Sequence, residues 1–496
     1  MEHKRGWITT IERIGNRLPD PATLFLLACV AVVAISSVVA GAGLSVADPR
    51  TPGAIAHATS LTDPGQLTWI ATHLVRNFLD FQPLGVVLVA MLGIGVAERV
   101  GLFAAVMRTL VLATPARLLT PAVVFAGVSA SIAADAGYVV LPPLVGGMYA
   151  RAGRSPLVGI AAVTFGIAGG FSANVLITAL DPLLAGMTEQ AARLTDPAAI
   201  VPPTCNWAFM ASSALVLTLV GWFITERVVE PQVAVSDAAA TAVPEHVPGE
   251  RRALVAAAIV GALVLAAYAA MVMVPGALLA GTVERTPGHP VPAWSEAIVP
   301  LLLAVFLLPA LVFGGMTGSI RSDKDVARAM GEAMSGMGSY LVLAFFAGQF
   351  IALFQRSDLA VLMAVSGGDA IGHLGLAKPV LLVAIVLATA ALNLLIVSAS
   401  AKWALLAPVM VPLFGQLGLA PDLVQAAYRV GDSVTNPISP LNPYLIVVLV
   451  TIRKHQPDAG LGTVLALLLP YSVAALVVWT IWLLVWVGSG LPLGTF

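Results

Sequence analysis

The chain has 496 residues, of which 10% are charged and 59% hydrophobic, with a mean hydropathy of +0.94. Soluble domains carry about 25% charged residues, so this composition excludes an ordinary soluble domain and points to an all-α polytopic membrane protein. The net charge of −1 identifies no partner, and no nucleic-acid partner is expected.

Apolar stretches of about 20 residues cross a hydrocarbon core of about 30 Å. That length rule predicts nine crossings, near 22–44, 69–98, 156–187, 206–229, 253–274, 297–316, 335–355, 421–448 and 462–488. The chain begins MEHKRGW and reaches its first apolar run only after Arg17, so no removable signal peptide is expected. Cys29 and Cys205 lie in different apolar segments and are expected to be unpaired thiols.

Segments 115–151 and 379–418 do not fit as single spans. Each has two apolar arms on either side of a Ser-x-Ser tip, with Asp135 or Lys402 close by. An arm of about 12 residues rises about 18 Å as a helix, enough to reach the middle of a bilayer and turn back. Both are read as re-entrant hairpins. Stretches 101–114 and 358–376 are expected to lie along the membrane surface.

Basic residues near span ends collect in the cytoplasm. Lys4, Arg5, Arg13 and Arg17 put the N-terminus there, and counting crossings puts Arg99, Arg108, Arg117, Arg151, Arg154, Arg227, Arg251, Arg252, Arg321, Lys324, Arg328, Arg453 and Lys454 on the same side. The first hairpin then enters from the cytoplasm and the second from the opposite face. The expected units are 1–68, an N-terminal helix and periplasmic loop; 69–230, a first repeat; 231–252, a polar cytoplasmic linker; 253–334, connecting helices; and 335–496, a second repeat of inverted orientation.

Two stretches match across those halves. The first reads Ser129-Ala-Ser131, Pro142-Pro143, Pro156 and Ser172-Ala-Asn174; the second reads Ser398-Ala-Ser400, Pro412, Pro421 and Ser433-Val-Thr-Asn436. The step from Ser131 to Pro143 is 143 − 131 = 12, and that from Ser400 to Pro412 is 412 − 400 = 12. Paired polar interruptions in two halves point to a binding site at the membrane midplane. The 45 glycines and 34 prolines suit broken helices and close backbone approach.

A charge inside a span costs about 2.5–3.5 kcal/mol, so each is a candidate site. Arg429 and Asp432, three apart on one helix face, are placed to neutralise each other before the break at Ser433–Pro437. Freed carbonyls with the oxygens of Asn174, Asn436, Ser131 and Asp432 would suit a sodium ion, and the half-helix N-terminus a carboxylate. Asp181, directly before Pro182, either titrates or binds a cation, or caps the helix that follows. Trp403 sits beside a hairpin tip rather than in an interfacial belt, which makes it either a partner for an aromatic substrate ring or a packing residue. Asn393, Ser400 and Pro408 shape the same element. His57, His73, His246, His289, His373 and His455 fall in loops or at interfaces, so no buried histidine relay is expected.

At AKWALLAPVMVPLF (401–414), YRVGDSVTNPISPLNPY (428–444) and SANVLITALDPLLAGMTE (172–189) the chain resembles the aminobenzoyl-glutamate transporter (AbgT) family. The resemblance implies a homodimer, nine transmembrane helices plus two hairpins per protomer, and a core related to divalent-anion/sodium symporters. It implies p-aminobenzoyl-glutamate as substrate and, for some members, export of sulfonamide antimetabolites. It carries functional roles onto Asp181, Trp403, Pro408, Arg429 and Asp432, with Asn393 and Ser400 beside them. The expected protein is an ion-coupled secondary transporter of the bacterial cytoplasmic membrane, driven by protons or sodium, with a small aromatic carboxylate or sulfonamide as cargo. A sodium-coupled dicarboxylate symporter is the alternative. No enzyme activity is expected, because no nucleophile–base pair or paired-Asp motif is present.

Overall fold

The computed structural model describes residues 19–51, 53–112, 114–130, 136–233, 249–286 and 289–494. Ser131, Asp135, the basic N-terminal residues, His246 and most of the 231–252 linker lie outside the described residues. Among those described, seven helices are long and apolar enough to cross a membrane: Pro21–Gly41, Pro64–Arg99, Trp207–Gln232, Glu250–Met273, Ile298–Thr317, Gly338–Arg356 and Leu461–Gly488. They coincide with seven of the nine predicted crossings. The other two, 156–187 and 421–448, are both interrupted in the middle.

In chain order, α1 (Pro21–Gly41) starts at a proline capped by Asp20, whose side chain accepts from Ala22 N. A hairpin of β1 (Ser45–Ala47) and β2 (Ile55–His57) follows. Next come α2 (Pro64–Leu79), α3 (Pro83–Arg99) and α4 (Leu102–Leu112). The first helical hairpin is α5 (Leu119–Ser129) and α6 (Ala136–Arg151), then α7 (Pro156–Gly169), a non-helical stretch, and α8 (Leu180–Ala192). Helices α9 (Trp207–Ile224) and α10 (Glu250–Met273) lead to strands β3 (Thr282–Thr286) and β4 (His289–Pro292) and a short helix α11 (Ala293–Glu296). Then come α12 (Ile298–Thr317), α13 (Asp323–Ser335), α14 (Gly338–Arg356) and α15 (Leu359–Gly372). The second hairpin is α16 (Lys378–Asn393) and α17 (Ala399–Gln416), followed by α18 (Pro421–Val434), α19 (Tyr444–Arg453) and α20 (Leu461–Gly488).

Two small antiparallel hairpins therefore stand beside the helices. Sequence reasoning missed them because strands of three to five residues leave too few positions for a period-two pattern to show. They also place His57 and His289 on strands, and His73 lies within α2 rather than in a loop.

The two halves pack alike. In the first half α5 and α6 both pack on α7; in the second, α16 and α17 pack on α18. Small residues let the backbones meet. A Cβ at Gly127 would lie 2.7 Å from Val163 O, and one at Gly166 would lie 2.6 Å from Val124 O, so α5 and α7 touch main chain to main chain. Helices α7, α8, α9, α17, α18 and α20 share the larger apolar core, while α3, α4, α10, α12 and α13 share a second.

Glu189 on α8 reaches the segment between α2 and α3 inside the larger core. Fully buried, it accepts from Gln82 Nε2 at 2.6 Å and from Val201 N at 2.9 Å, and pairs with Arg193 at 2.9 Å. Gln82 lies in the joint between α2 and α3. On another face, Arg50 bridges Asp48 at 2.8 Å and Asp358 at 2.7 Å, while Thr59 N donates to Ser357 O. This ties the β1–β2 segment to the α14–α15 junction.

Two predictions follow from these contacts. Gly166→Val should lower stability by about 1–3 kcal/mol through overpacking, read as an earlier thermal melt in detergent, whereas Gly331→Ala, whose Cβ would meet open space, should not. The hydrogen bond from Arg50 holds the Asp48 carboxyl below the usual carboxylate range. Its stabilisation is therefore present above the unfolded-state pKa and lost as pH falls through the lowered folded value. Proteolysis of the 45–57 segment should quicken in acid in the native protein, and Arg50→Ala should bring that fast cleavage to neutral pH.

Candidate functional site: two buried ion pairs, one of them joining the halves

The break after α7 runs through Ser172 and Asn174, and the break after α18 runs through Thr435 and Asn436. They meet directly: Ser172 N donates to Ser433 Oγ at 3.2 Å, and Asn436 Nδ2 donates to Ala168 O at 3.3 Å. Proline at 437, 440 and 443 prevents regular helix immediately after the second break.

Arg429 and Asp432 do not neutralise each other, contrary to the reading from their spacing. Arg429 reaches across to the first half, where Nη1 donates to Asp181 Oδ1 at 2.7 Å and Nη2 donates to Ser172 O at 2.9 Å. Asp181, in the first turn of α8, also turns back onto the break: Oδ2 accepts from Thr178 N at 2.7 Å and from Thr178 Oγ1 at 2.9 Å. Its cationic partner in this structure is thus Arg429.

Asp432 pairs instead with Lys402 of the second hairpin, Nζ to Oδ1 at 2.7 Å. The same ammonium donates to Asn393 Oδ1 and, at 3.1 Å, to Ile396 O in the hairpin tip. Asn393 Nδ2 passes the network to Thr435 Oγ1 at 3.1 Å and Asn436 Oδ1 at 2.8 Å. Asp181, Lys402, Arg429 and Asp432 are each at most 5% exposed. Their charges sum to zero, which is the condition for keeping four of them out of water. Asp432 Oδ2 and Arg429 Nε have no hydrogen-bond partner among the described residues.

Trp403 is fully buried beside this cluster. Its ring stacks on Tyr428 at 4.3 Å between centroids and 30° between planes, and Nε1 donates to Thr188 Oγ1 at 2.9 Å. Thr188 donates on to Gln425 Oε1, and Gln425 Nε2 donates to Asn206 Oδ1 at 2.8 Å. Tyr428 OH donates to Ala399 O at 2.5 Å and lies 3.3 Å from Asp432 Oδ1. Pro408 lies buried inside α17.

Ser400 stands apart from the ion pairs. With Ser398 it lines a cavity of about 330 Å³ whose opposite wall is Asp20, Ser339 and Tyr340. Ser398 is the N-cap of α17, accepting from Ala401 N at 3.3 Å. Asn174 lies in the first break, with Nδ2 3.5 Å from Thr178 Oγ1.

The residues that sequence reasoning left out of the site are Lys402, Thr178, Thr188, Gln425, Tyr428 and Thr435. Lys402 carried the clearest signal, an amine one residue from Trp403 in an apolar arm. Tyr428 is one turn before Asp432, a spacing that puts the two on one helix face. The threonines carried no signal, since their role depends on contacts made across the halves.

Breaking a buried pair leaves a charge without compensation and costs about 3–5 kcal/mol. Arg429→Met and Asp181→Leu should each destabilise by about that amount, and the double variant by clearly less than the sum. A double-mutant cycle of thermal melts in detergent measures it; strict additivity would refute the pairing.

With this geometry in place, comparison with known proteins is specific. The profile described as AbgT putative transporter family matches residues 6–496. The p-aminobenzoyl-glutamate transport protein of Escherichia coli (strain K12) is 35% identical over 493 residues, covering 99% of this chain and 95% of that one. The YdaH transporter of Alcanivorax borkumensis superposes with a TM-score of 0.90 at 40% identity, over 96% of this chain and 100% of that one. MtrF of Neisseria gonorrhoeae, described among antimetabolite efflux pumps, superposes with a TM-score of 0.91 at 41% identity, over 97% of each chain. Members of this family are transporters and not enzymes, and the chain belongs to the AbgT transporter family.

Proposed function

We propose that this protein is an ion-coupled secondary transporter of the bacterial cytoplasmic membrane that moves p-aminobenzoyl-glutamate or sulfonamide-type antimetabolites. The observation that carries the reading is the meeting of two broken helices around a charge-neutral set of buried ion pairs, beside a buried aromatic pair. The relatives' names supply the substrate class. An acylated aminobenzoate has an arene and carboxylates; Trp403 and Tyr428 offer ring faces, and Arg429 offers a guanidinium with Nε still without a partner.

In the described conformation Trp403 is packed on Tyr428. Stacking of a substrate ring on Trp403 therefore accompanies a movement of α17 relative to α18. The cavity between Ser398, Ser400 and Tyr340 supports access to the hairpin tip from the side where α1 begins. With the N-terminus cytoplasmic, that side is the interior. The hairpins are re-entrant in this reading, alternating access is an elevator-like motion of α5–α9 and α16–α20, and the protomer works as a homodimer. Asp181 and Asp432 are the candidate coupling groups, with a proton or sodium ion as the driver.

A dicarboxylate symporter would need no aromatic partner, and nothing in the pocket favours it over an arene-bearing substrate. Reconstituted protein should take up labelled p-aminobenzoyl-glutamate saturably and against its gradient when an ion gradient is imposed. Asp432→Ala should abolish uphill flux. Trp403→Ala should raise KM for the arylamide by about tenfold, the loss of an aromatic contact worth about 1 kcal/mol or more. Gradient-independent downhill flux in the native protein would reject a coupled carrier, and an unchanged KM in Trp403→Ala would remove the aromatic subsite.

A further inference from the structure

We infer that both helix breaks are filled by the protein's own cations, so that Lys402 takes the place a sodium ion would have in the second break. This deepens the reading of the protein as a coupled transporter and narrows its coupling ion. A sodium site in a broken helix is a nest of carboxylate, amide and main-chain oxygens. Around Lys402 Nζ stand a carboxylate oxygen of Asp432, the amide oxygen of Asn393 and the carbonyl of Ile396. That is a donor set of sodium type, with an ammonium at its centre.

Most of the other oxygens of the second break are also committed, Asp432 Oδ2 excepted. Asn436 Oδ1 accepts from Asn393 Nδ2, Asn436 O accepts from Asn442 Nδ2 at 3.2 Å, and Thr435 Oγ1 donates to Ala390 O at 3.0 Å. The first break repeats the arrangement with a guanidinium: Ser172 O and Asp181 Oδ1 both accept from Arg429. Two carboxylates already balance two fixed cations. A sodium ion entering either break would leave a net positive charge in a buried region, and would share its carboxylate with a cation already hydrogen-bonded to it at 2.7 Å. The residues present therefore do not fit a resident sodium ion.

Removing the ammonium should reverse this. Lys402→Met keeps the unbranched stem of the side chain, one atom shorter, and leaves Asp432, Asn393 and Ile396 O as an oxygen nest with an unbalanced negative charge. A ligand that binds only the folded state raises its apparent stability by mass action. Full-length protein in detergent is melted in NaCl and in choline chloride at equal ionic strength, and binding of radioactive sodium is measured alongside.

The native protein should melt at the same temperature in both salts and retain no labelled sodium. Lys402→Met should melt lower in choline, regain several degrees in NaCl and bind labelled sodium. The double variant Lys402→Met/Asp432→Asn, with neither charge, should fold and lose the sodium response. Sodium-specific stabilisation or sodium binding in the native protein overturns the inference, whether or not the single variant can be purified. A folded Lys402→Met that ignores sodium overturns it as well. These readouts need no transport, so a native protein that is blind to sodium yet shows no saturable flux would sink the carrier reading and leave the resident cation standing.

Discussion

The energetics of this molecule turn on the cost of keeping ionised side chains away from water. Four of them, Asp181, Lys402, Arg429 and Asp432, lie in an apolar interior, and each is tolerated only because an opposite charge sits within hydrogen-bonding distance. The pairing is not local. Arg429 and Asp432 share a helix, yet each looks away from the other, one to the first repeat and one to the second hairpin. The two halves are thereby bound to each other through their most expensive residues.

That arrangement explains why helix geometry serves recognition here. A continuous helix satisfies its own main chain; a broken one leaves carbonyls and amides to be satisfied by something else. In this protein Ser172 O, Ile396 O and Ala168 O are satisfied by side chains that arrive from other elements. The polar centre is thus assembled only when both repeats are folded. Its outer parts, Trp403, Thr188, Gln425 and Asn206, form a second chain of hydrogen bonds running from α17 through α8 and α18 to the start of α9.

Much of this was readable beforehand, for a physical reason. A bilayer imposes a length on every spanning helix, and seven long helices announced themselves by length and apolarity alone. The two interrupted spans announced themselves by Ser, Asn and Pro where a span should be apolar. What could not be read was which charge faces which. Spacing along one helix suggested Arg429 with Asp432, but the torsion of α18 relative to α7 and α17 decides the partners, and no local pattern encodes that. Lys402 was visible as an amine beside a hairpin tip, but its partner Asp432 was not, because the two are 432 − 402 = 30 residues apart and on different helices. The short strands at 45–57 and 282–292 were hidden because their pairing rests on turns rather than on periodicity.

Glu189 joins α8 to the segment between α2 and α3. Its bond to Gln82 is the link that crosses from α8 to the α2–α3 joint, while its ties to Arg193 and Val201 stay on its own side. Parting that one link strands no charge, because Gln82 is neutral and the carboxylate keeps its arginine. The tie between α8 and the α2–α3 joint is therefore the inexpensive part of this network, and the ion pair with Arg193 is the costly one.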